Sequence, residues 1–474
     1  MSTLQEIIVR RALYPLWALY EHPGLSSYLQ EYEATQFWSP DRIRDLQWSR
    51  LRRLIRFAVE NCAFYNRRFR EAGLSPEDLR TPKDLLRIPV LTKDEIRQHD
   101  ADLMPVGLPP NSFVPNFTGG SSGAPLRFNV SRRRWASRKA MTHRHDRWCG
   151  IDIGATVGQL WGHPTERSGL SRSEQLRQSL LEPSVRLNTF DGREENIEEF
   201  LEGLRRHKVT HLLAYARSLR LLVEYLVSHL KSVPDLEAAV TTAESLTTEE
   251  RATIERVLGC PTFDRYGCRE FSVVASQCEA RDGLHIAAET LLVEFVVGDR
   301  HAEPGEPGAI VVTDLLNEAT PFIRYLIGDV GTPMEGTCAC GRGLPRMQMV
   351  AGRITDFIHT PDGRWISGVA VNTYLISQIP GIRQAQIVQQ RCDHLLFRIV
   401  PLAEGYAEPG PFLSERVPAI FGRHMTHEIQ WVDRIAPEPS GKTLVTVSQC
   451  GQLHGFRQAD SQKKEDVLHA GTRS

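Results

Sequence analysis

The chain has 474 residues and a formal net charge of -1, with Lys+Arg 57 against Asp+Glu 58. A chain longer than about 300 residues seldom forms a single core, so two or three domains are expected. The balanced charge gives no overall positive field, which argues against a nucleic-acid partner. Because nowhere do about twenty apolar residues follow one another without a charge, and the N-terminus lacks the pattern of a secretory signal, a cytoplasmic protein is expected.

The first hundred residues or so are predicted to form a helical N-terminal segment. Leu51, Leu54, Ile55 and Ala58 are spaced to share one face of a helix. In the preceding segment EIIVRRALYPLWALY, basic residues stand beside Leu, Tyr and Trp, so peripheral contact with a membrane surface is the alternative to ordinary packing. Pro15 is expected to interrupt that helix.

From about residue 110 to 315, glycine-containing loops alternate with apolar runs and helical stretches. THLLAYA is followed by SLRLLVEYLVSHL, and LEAAVTTAE by LTTEERATIERVL, which is typical of strands crossed over by helices. The fold class predicted is therefore α/β. LLVEFVVGDR and GAIVVTDLL are predicted to be antiparallel strands that form a smaller sheet beside the main one.

The pattern changes near residue 352, where we place a domain boundary. IVQQRCDHLLFRIVP and EIQWVDRIAPEPSGKTLVTVSQ are candidates for strands and hairpins in a small C-terminal domain of residues 352–452. Residues 453–474 are polar and without periodicity, so a disordered tail is predicted.

A loop rich in glycine and hydroxyl groups is the first candidate for phosphate binding, because glycine backbone can approach phosphate closely and N–H and O–H groups can point at its oxygens. The alternative is a flexible linker. The loop lacks the Gly-Lys-Ser/Thr ending of a Walker sequence, which disfavours a P-loop NTPase. Its residues are Thr118, Gly119, Gly120, Ser121, Ser122 and Gly123.

This loop, FTGGSSGAPLRF, resembles the phosphate loop of the adenylate-forming superfamily, and its Ala-Pro ending is similar to that of the phenylacetate-CoA ligase family. The resemblance implies a large adenylation domain of several subdomains, residues 1–351, and a small, mobile α+β C-terminal domain. It also implies ATP and Mg²⁺ as cofactors, with activation of a small or carrier-linked carboxylic acid.

The resemblance continues in two further strings of the large domain. In TTAESL, Ala243 and Glu244 correspond to the adenine-contacting loop. In FDRYGCREF, the resemblance places Tyr266, with Gly267, against adenine and Asp264 near its amino group. Glu270 would hold the magnesium ion.

Arg269 stands where the superfamily usually has Thr, so a hydroxyl donor is replaced by a guanidinium that can clamp either phosphate or the acid. We include Arg269 among the catalytic candidates. ATPFIRYLIGDVG resembles the ribose motif, in which the Asp329 carboxylate accepts both ribose hydroxyls, with Ile327 in place of Thr.

The domain boundary and the chain end supply the remaining members of the motif set. In GRITDF, Arg353 would reach the ribose or a phosphate, and Asp356 would be the hinge residue. In PSGKTLV, Lys442 resembles the catalytic lysine that stabilises charge on the carboxylate and α-phosphate.

A second metal site is suggested by two short spacings among the nine cysteines of the chain. Cys278 and His285 read C-x6-H, and Cys338 and Cys340 read C-x-C, so that three thiolates and an imidazole could form a tetrahedral zinc site. With four protein ligands such a zinc would be structural. The alternative is a set of separate cysteines.

Candidates for the acid pocket follow the phosphate loop or precede the adenine loop, and for each of them ordinary packing or surface exposure is the alternative. They are His143, His145, Trp161, His163, Tyr215 and Arg217.

The expected reaction is attack of the carboxylate on the α-phosphate of ATP with loss of pyrophosphate, followed by transfer to CoA or another thiol. TPDGRWISGVAVNTYLIS is closer to the branch associated with capsule or exopolysaccharide synthesis, so an amine or a sugar hydroxyl is an alternative acceptor. A non-catalytic nucleotide-binding scaffold is the alternative from another class. A homodimer is left open by the sequence.

Overall fold

The computed structural model describes residues 4–118, 126–160, 171–187, 194–242, 246–353, 357–361, 365–367, 371, 375–379, 382–401, 409–435 and 446–448. The helices are α1 (Leu4–Ile8), α2 (Tyr14–Glu21), α3 (Leu25–Thr35), α4 (Pro40–Asn61), α5 (Ala63–Glu71), α6 (Pro82–Leu85), α7 (Lys93–Gln98), α8 (Asp100–Leu103), α9 (Arg132–Trp148), α10 (Arg172–Leu181), α11 (Glu194–Arg206), α12 (Ala216–Ser228), α13 (Thr248–Leu258) and α14 (Pro409–Phe421). A π-helical turn, Val9–Leu13, joins α1 to α2, and short 3-10 turns lie at Pro76–Asp78, Pro110–Ser112 and Ile376–Gln378.

The strands are β1 (Phe113–Phe117), β2 (Arg127–Ser131), β3 (Val157–Leu160), β4 (Ser184–Leu187), β5 (His211–Tyr215), β6 (Ala238–Thr242), β7 (Thr262–Cys268), β8 (Ser272–Ser276), β9 (Leu284–Ile286), β10 (Leu291–Val297), β11 (Arg300–His301), β12 (Gly308–Asp314), β13 (Tyr325–Met334), β14 (Arg346–Arg353), β15 (Phe357–His359), β16 (Trp365–Ser367), β17 (Ile382–Arg391), β18 (His394–Pro401), β19 (Thr426–Trp431) and β20 (Thr446–Ser448).

The N-terminal segment is helical, as predicted. Helix α4 begins after Ser39, whose side chain accepts a hydrogen bond from the backbone N–H of Arg42, and it buries Leu51, Leu54, Ile55 and Ala58 on one face. These side chains join the main hydrophobic core, so the predicted stripe is confirmed.

Pro15 does not interrupt the first helix, contrary to the prediction. The chain stays helical from α1 through the π-helical turn into α2, and this wider turn directly precedes Pro15, which has no N–H to donate to it. The helix therefore continues through the proline.

One half of the large sheet is parallel and is crossed over by helices. In the order β4-β3-β5-β6-β7, successive neighbours pair in parallel, and α10 to α13 connect the strands in chain order. The predicted pairs of a strand and a helix are β5 with α12 and β6 with α13, and both are confirmed.

The other half of the same sheet is antiparallel. Strands β10 and β12 pair antiparallel, as predicted, but they do not form a separate sheet. Strand β13 continues the ladder from β12, β14 follows β13, and β14 pairs with β9. The hydrogen bonding is thereby continuous from β11 to β4 over twelve strands.

A four-stranded C-terminal sheet has the order β19-β18-β17-β20. Strands β17 and β18 form the predicted hairpin. The second candidate string supplies β19 and β20, which lie at opposite edges and are not paired with each other. Helix α14 buries Leu413, Val417 and Phe421 in the core of this sheet. The domain boundary at 351/352 and the mobility of the small domain stay predictions, and residues 453–474 lie outside the described residues.

Within the described ranges, no helix combines the length and apolar character that crossing a bilayer requires. The first helical stretch does expose apolar side chains, namely Leu4, Ile8, Leu16, Leu19 and Tyr20. Contact of this face with a membrane surface stays a prediction, as does a homodimer.

Candidate active site

The predicted phosphate loop connects the two strands of the β1–β2 hairpin. At its base the backbone N–H of Thr118 donates to the Leu126 carbonyl at 2.9 Å, and the Leu126 N–H donates to Oγ1 of Thr118 at 3.1 Å. Residues Gly119, Gly120, Ser121, Ser122 and Gly123 lie outside the described residues. The hairpin therefore fixes both ends of the loop.

Two motifs that are far apart in the chain meet through Tyr266 on β7 and Asp329 on β13. The Tyr266 hydroxyl donates to Oδ2 of Asp329 at 2.7 Å. Burial, and then the Asp329 carboxylate, raise the pKa of Tyr266 well above its ordinary value, so this hydroxyl keeps its proton. The backbone of Asp329 pairs with that of Arg353 on β14, which brings a third motif to the same place.

Gly267 follows Tyr266 at an irregularity in the β7–β8 pairing. A Cβ atom on this residue would lie 2.5 Å from the carbonyl oxygen of Ser272, so close approach of the backbone requires glycine here. Glu270 follows three residues after this close approach.

Glu270 is buried beside the same two motifs. The hydroxyl of Tyr325, which lies in the string that resembles the ribose motif, donates to Oε1 of Glu270 at 2.9 Å. The Arg138 guanidinium donates to the Glu270 backbone carbonyl, and Glu270 is 5% exposed. A carboxylate held in this way is a suitable ligand for Mg²⁺. The sequence contained Tyr325 within the motif, but its contact with Glu270 was not predicted.

Asp264 is held by neighbouring protein groups. Its carboxylate accepts a hydrogen bond from Oγ1 of Thr241 at 2.6 Å and is paired with the Arg251 guanidinium. Arg251 lies on α13, so this pair ties the helix to the strand that carries Tyr266. The predicted contact of Asp264 with an adenine amino group stays a prediction.

A cavity of about 730 Å³ opens beside Gly267 and Arg269. It lies at the point where the order of the parallel strands reverses, between β3 and β5, and Gln159 and Tyr215 line it there. Ligands of open α/β sheets bind at such a point, at the carboxyl ends of the strands. His143 of α9 also lines the cavity.

His145 is directed away from this cavity, unlike His143. It is buried, its Nε2 lies 3.1 Å from Nη2 of Arg144, and its ring packs on Trp148. Burial is the largest cause of its lowered pKa, so the imidazole is neutral. Residues two apart on a helix point to different faces, which explains why only one of the two histidines reaches the cavity.

The four predicted zinc ligands form one cluster. The ligand atoms of Cys278, His285, Cys338 and Cys340 all lie within 4.8 Å of one another. Two of the separations are 3.7 Å between the sulfurs of Cys278 and Cys338 and 3.3 Å from the Cys340 sulfur to Nε2 of His285. A tetrahedral site with zinc–sulfur bonds of about 2.3 Å has edges of about 3.8 Å between sulfurs, so these separations suit such an ion.

The surroundings of the cluster favour ligand binding. Burial lowers the pKa of His285 to about 4, which keeps its imidazole neutral, and Nδ1 lies 3.4 Å from the Leu344 carbonyl. Burial alone raises the pKa of Cys340, but hydrogen bonds from Arg342 and from the thiols of Cys338 and Cys278 together hold that pKa below its ordinary value. A thiolate and a neutral imidazole are the forms that bind zinc.

Several predicted site residues lie outside the described residues or are described by their backbone alone. The first group is Ala243, Glu244, Trp161, His163, Asp356 and Lys442, and the second is Arg217 and Arg353. Lys442 falls in the segment between β19 and β20. The roles assigned to these residues stay predictions.

Comparisons with known proteins find relatives with a similar sequence and solved structures with a similar fold. Residues 358–449 match the family model of the CapK C-terminal domain. Phenylacetate-coenzyme A ligase of Thermus thermophilus is 29% identical over 333 residues, covering 67% of this chain and 72% of the relative. Protein CapK of Staphylococcus aureus is 19% identical over 410 residues, covering 85% of this chain and 89% of the relative.

By these matches the chain is similar to the phenylacetate-coenzyme A ligases and to protein CapK. An open conformation of 2-hydroxyisobutyryl-CoA ligase, in complex with 2-HIB-AMP and CoA, superposes on this chain with a TM-score of 0.62 at 22% identity. The superposition covers 85% of this chain and 90% of that one. The predicted α/β fold class is thereby confirmed, and the chain forms a large mixed sheet and a small C-terminal sheet.

Proposed function

We propose that this ligase uses ATP to convert a carboxylic acid into an acyl-adenylate, releases pyrophosphate, and then transfers the acyl group to CoA or another thiol. The observation that carries the proposal is the 2.7 Å hydrogen bond from Tyr266 to Asp329. It joins the string assigned to adenine and the string assigned to ribose, and Gly267, the residue after Tyr266, lines the cavity.

The chemistry follows from the positions of these groups. The acid would lie in the cavity with its carboxylate toward Gly267 and Arg269. The ribose hydroxyls would donate hydrogen bonds to the carboxylate of Asp329. A carboxylate oxygen then attacks the α-phosphorus of ATP, the bond to the bridging oxygen breaks, and pyrophosphate leaves. Orientation and neutralisation of charge account for most of the acceleration of such a step.

Positive charge near the reacting phosphate would come from several sources. Arg269 lines the cavity and can pair with phosphate or with the acid. Mg²⁺, bound through Glu270, would neutralise the triphosphate. Lys442 would supply an ammonium group from the small domain, as the resemblance implies.

A thiol acceptor is supported by relatives that are named as coenzyme A ligases. The alternative is transfer from the same adenylate to an amine or hydroxyl in polysaccharide or secondary-metabolite biosynthesis. The match of residues 358–449 to the CapK C-terminal domain supports this alternative acceptor, an amine or a hydroxyl.

We also propose that the Cys278, His285, Cys338 and Cys340 cluster binds a structural zinc ion. Three thiolates and one imidazole make a closed tetrahedral set with no position left for water or substrate, which is characteristic of structural zinc. The cluster joins the segments around β9 and β14, so the ion would hold together one part of the antiparallel sheet.

The test of adenylation is acid-dependent exchange between ATP and labelled pyrophosphate, with a panel of carboxylic acids. We expect exchange that requires an acid and that falls at least about a hundredfold in Lys442→Ala, as for loss of one group that stabilises developing charge. Exchange that ignores both the acid and the substitution would reject the mechanism and favour a nucleotide-binding scaffold.

The acceptor is determined by a second assay with the acid that supports exchange. CoA, a carrier phosphopantetheine, amino acids and amino sugars are added separately, and AMP release and the acylated product are measured. Faster AMP release with a thiol alone would support the main proposal. Faster release with an amine or sugar alone would reject the thiol and support the alternative.

A further inference from the structure

The cavity beside the nucleotide motifs has a group of polar lining residues, here called its polar wall. This wall is built from α9, from the segment after α10, and from the first helical stretch of the chain. It contains two pairs that the sequence did not reveal, Lys139 with Glu182 and Tyr14 with His143. The lining also includes apolar side chains such as Leu213 and Val273.

The first pair is ionic and borders the cavity. The ammonium of Lys139 lies 2.6 Å from Oε1 of Glu182, with 26% and 36% of the two side chains exposed. Burial raises the pKa of Glu182, but the Lys139 charge outweighs it and the net shift is downward, so the carboxylate stays ionised. Placing an apolar group against this pair would remove its water and supply no replacement hydrogen bond.

The second pair is neutral. The Tyr14 hydroxyl lies 2.6 Å from Nε2 of His143. Burial lowers the pKa of His143 to about 4 and raises the pKa of Tyr14, so both groups are uncharged near neutral pH. A neutral imidazole offers one donor and one acceptor, which suits an uncharged polar partner.

A further ionic pair lies between this wall and the nucleotide motifs. Asp146 lies 2.6 Å from Arg265, and both residues line the cavity. Within each of the two ionic pairs the charges cancel. A ligand with a charged group besides its carboxylate would therefore find no unpaired opposite charge at either pair. Hydroxyl and amide groups, which both donate and accept hydrogen bonds, fit such walls without a net charge.

We propose that the acid activated by this ligase carries uncharged hydrogen-bonding groups, hydroxyl or amide, along its tail, and that Tyr14, Lys139, Glu182 and His143 recognise them. The inference rests on the proposed adenylation for the position of the carboxylate. The substrate class is therefore a hydroxylated or N-acylated carboxylic acid, and unsubstituted aliphatic or aryl acids are disfavoured.

The experiment compares acids of similar length that differ in polarity. The probes are hexanoate, 6-hydroxyhexanoate, gluconate, N-acetylglycine and phenylacetate. Binding of each to the full chain is measured by calorimetry, and turnover by ATP–pyrophosphate exchange. We expect the best hydroxylated or N-acylated acid to exceed both hexanoate and phenylacetate by roughly tenfold or more in affinity and in kcat/KM.

Variants test whether the polar wall causes that preference. Tyr14→Phe removes one hydroxyl, and the double substitution Lys139→Met, Glu182→Leu replaces the ion pair without leaving either charge unpaired. Both should lower the ratio of polar to apolar acid use by roughly fivefold or more. Arg133→Met is the matched control, because Arg133 is an exposed residue of the same helix that does not line the cavity; it should leave the ratio unchanged.

Binding and exchange separate the two proposals. Selective binding of polar acids without exchange would reject adenylation and support the assignment of the cavity. Tighter binding or faster exchange of hexanoate or phenylacetate would overturn the inference and leave adenylation intact. An unchanged ratio in both wall variants, or no binding of any probe, would also overturn it.

Discussion

The hydroxyl of Tyr266 on β7 and the carboxylate of Asp329 on β13, 63 positions apart in the chain, form a 2.7 Å hydrogen bond. The bond orients one oxygen of the carboxylate and leaves the hydroxyl protonated, since burial and Asp329 raise the pKa of Tyr266. Orientation of this carboxylate is the structural basis for ribose recognition in the proposed reaction.

Tyr266→Phe should therefore weaken nucleotide binding while leaving the fold intact. Loss of one hydrogen bond to a charged group costs about 1.5–3 kcal/mol, so we expect the KM for ATP to rise at least about tenfold. Steady-state exchange kinetics measure this change. Tyr20→Phe is the control, because Tyr20 is 85% exposed. An unchanged KM for ATP in Tyr266→Phe would show that this hydrogen bond does not serve nucleotide binding.

Removal of one ligand from the Cys278, His285, Cys338 and Cys340 cluster should destabilise the protein. We expect Cys338→Ser to lower the zinc content below one equivalent and the Tm by roughly 5–10 °C, because a structural metal contributes folding free energy. Metal analysis of protein purified without a metal-affinity tag, and calorimetry, are the measurements. Cys392→Ser is the control, since that thiol is exposed and outside the cluster. Wild-type protein with a clearly sub-stoichiometric zinc content would reject the site.

Asp314 holds two buried arginines, one of which supports Glu270. Its carboxylate lies 2.7 Å from Nε of Arg134 and 3.4 Å from Nη2 of Arg138, and Arg138 also donates to the Glu270 backbone carbonyl. Removing the carboxylate would leave two buried cations without this counter-charge.

We expect Asp314→Ala to reduce the free energy of unfolding by about 3–5 kcal/mol, as measured by chemical denaturation. Asp299→Asn, at an exposed position, should change it by less than about 0.5 kcal/mol. A loss in Asp314→Ala as small as that of Asp299→Asn would contradict the role given to this carboxylate.

The stability should fall in mild acid in part because of His143. Its pKa is about 4 in the folded protein and about 6.5 as the ordinary value, so the unfolded chain binds a proton more readily between these values. By linkage, the contribution of neutral His143 is present above about pH 6.5 and is lost as the pH falls toward 4.

His143→Gln should reduce this dependence on pH. Between pH 7 and pH 5 we expect the variant to lose about 1–2 kcal/mol less of its unfolding free energy than the wild type does. Denaturation at both pH values gives the two losses, and each protein serves as its own reference. Equal losses would mean that His143 is protonated as easily in the folded chain as in the unfolded one.

Local patterns in the sequence accounted for much of the fold. The apolar spacing of Leu51, Leu54 and Ile55 and the succession of β5 and α12 are set within a few residues, where periodicity is informative. Pairings between distant segments were not accessible in this way. The pairing of β14 with β9 merges the two sheets that were predicted to be separate. It joins distant segments of the chain, since Met347 pairs with Leu284.

The same difference between local patterns and contacts of distant segments applies to the candidate site. The motif resemblance placed Tyr266, Glu270 and Asp329 together, and their hydrogen-bonded neighbours agree with this. The side-chain pair of Tyr14 and His143 joins segments 129 residues apart and carries no motif. The sequence could not tell which of His143 and His145 faces the cavity, because this depends on how α9 packs against its neighbours.

The proposed attack on the α-phosphorus is tested most directly by isotope transfer. The acid that supports exchange is labelled with oxygen-18 in both carboxylate oxygens and incubated with ATP, Mg²⁺ and the accepted acyl acceptor, and the products are analysed by mass spectrometry. Because the attacking oxygen stays on phosphorus when the acyl group departs, we predict one oxygen-18 atom in AMP and none in pyrophosphate. Unlabelled AMP, or label in ADP or inorganic phosphate, would contradict formation of an acyl-adenylate.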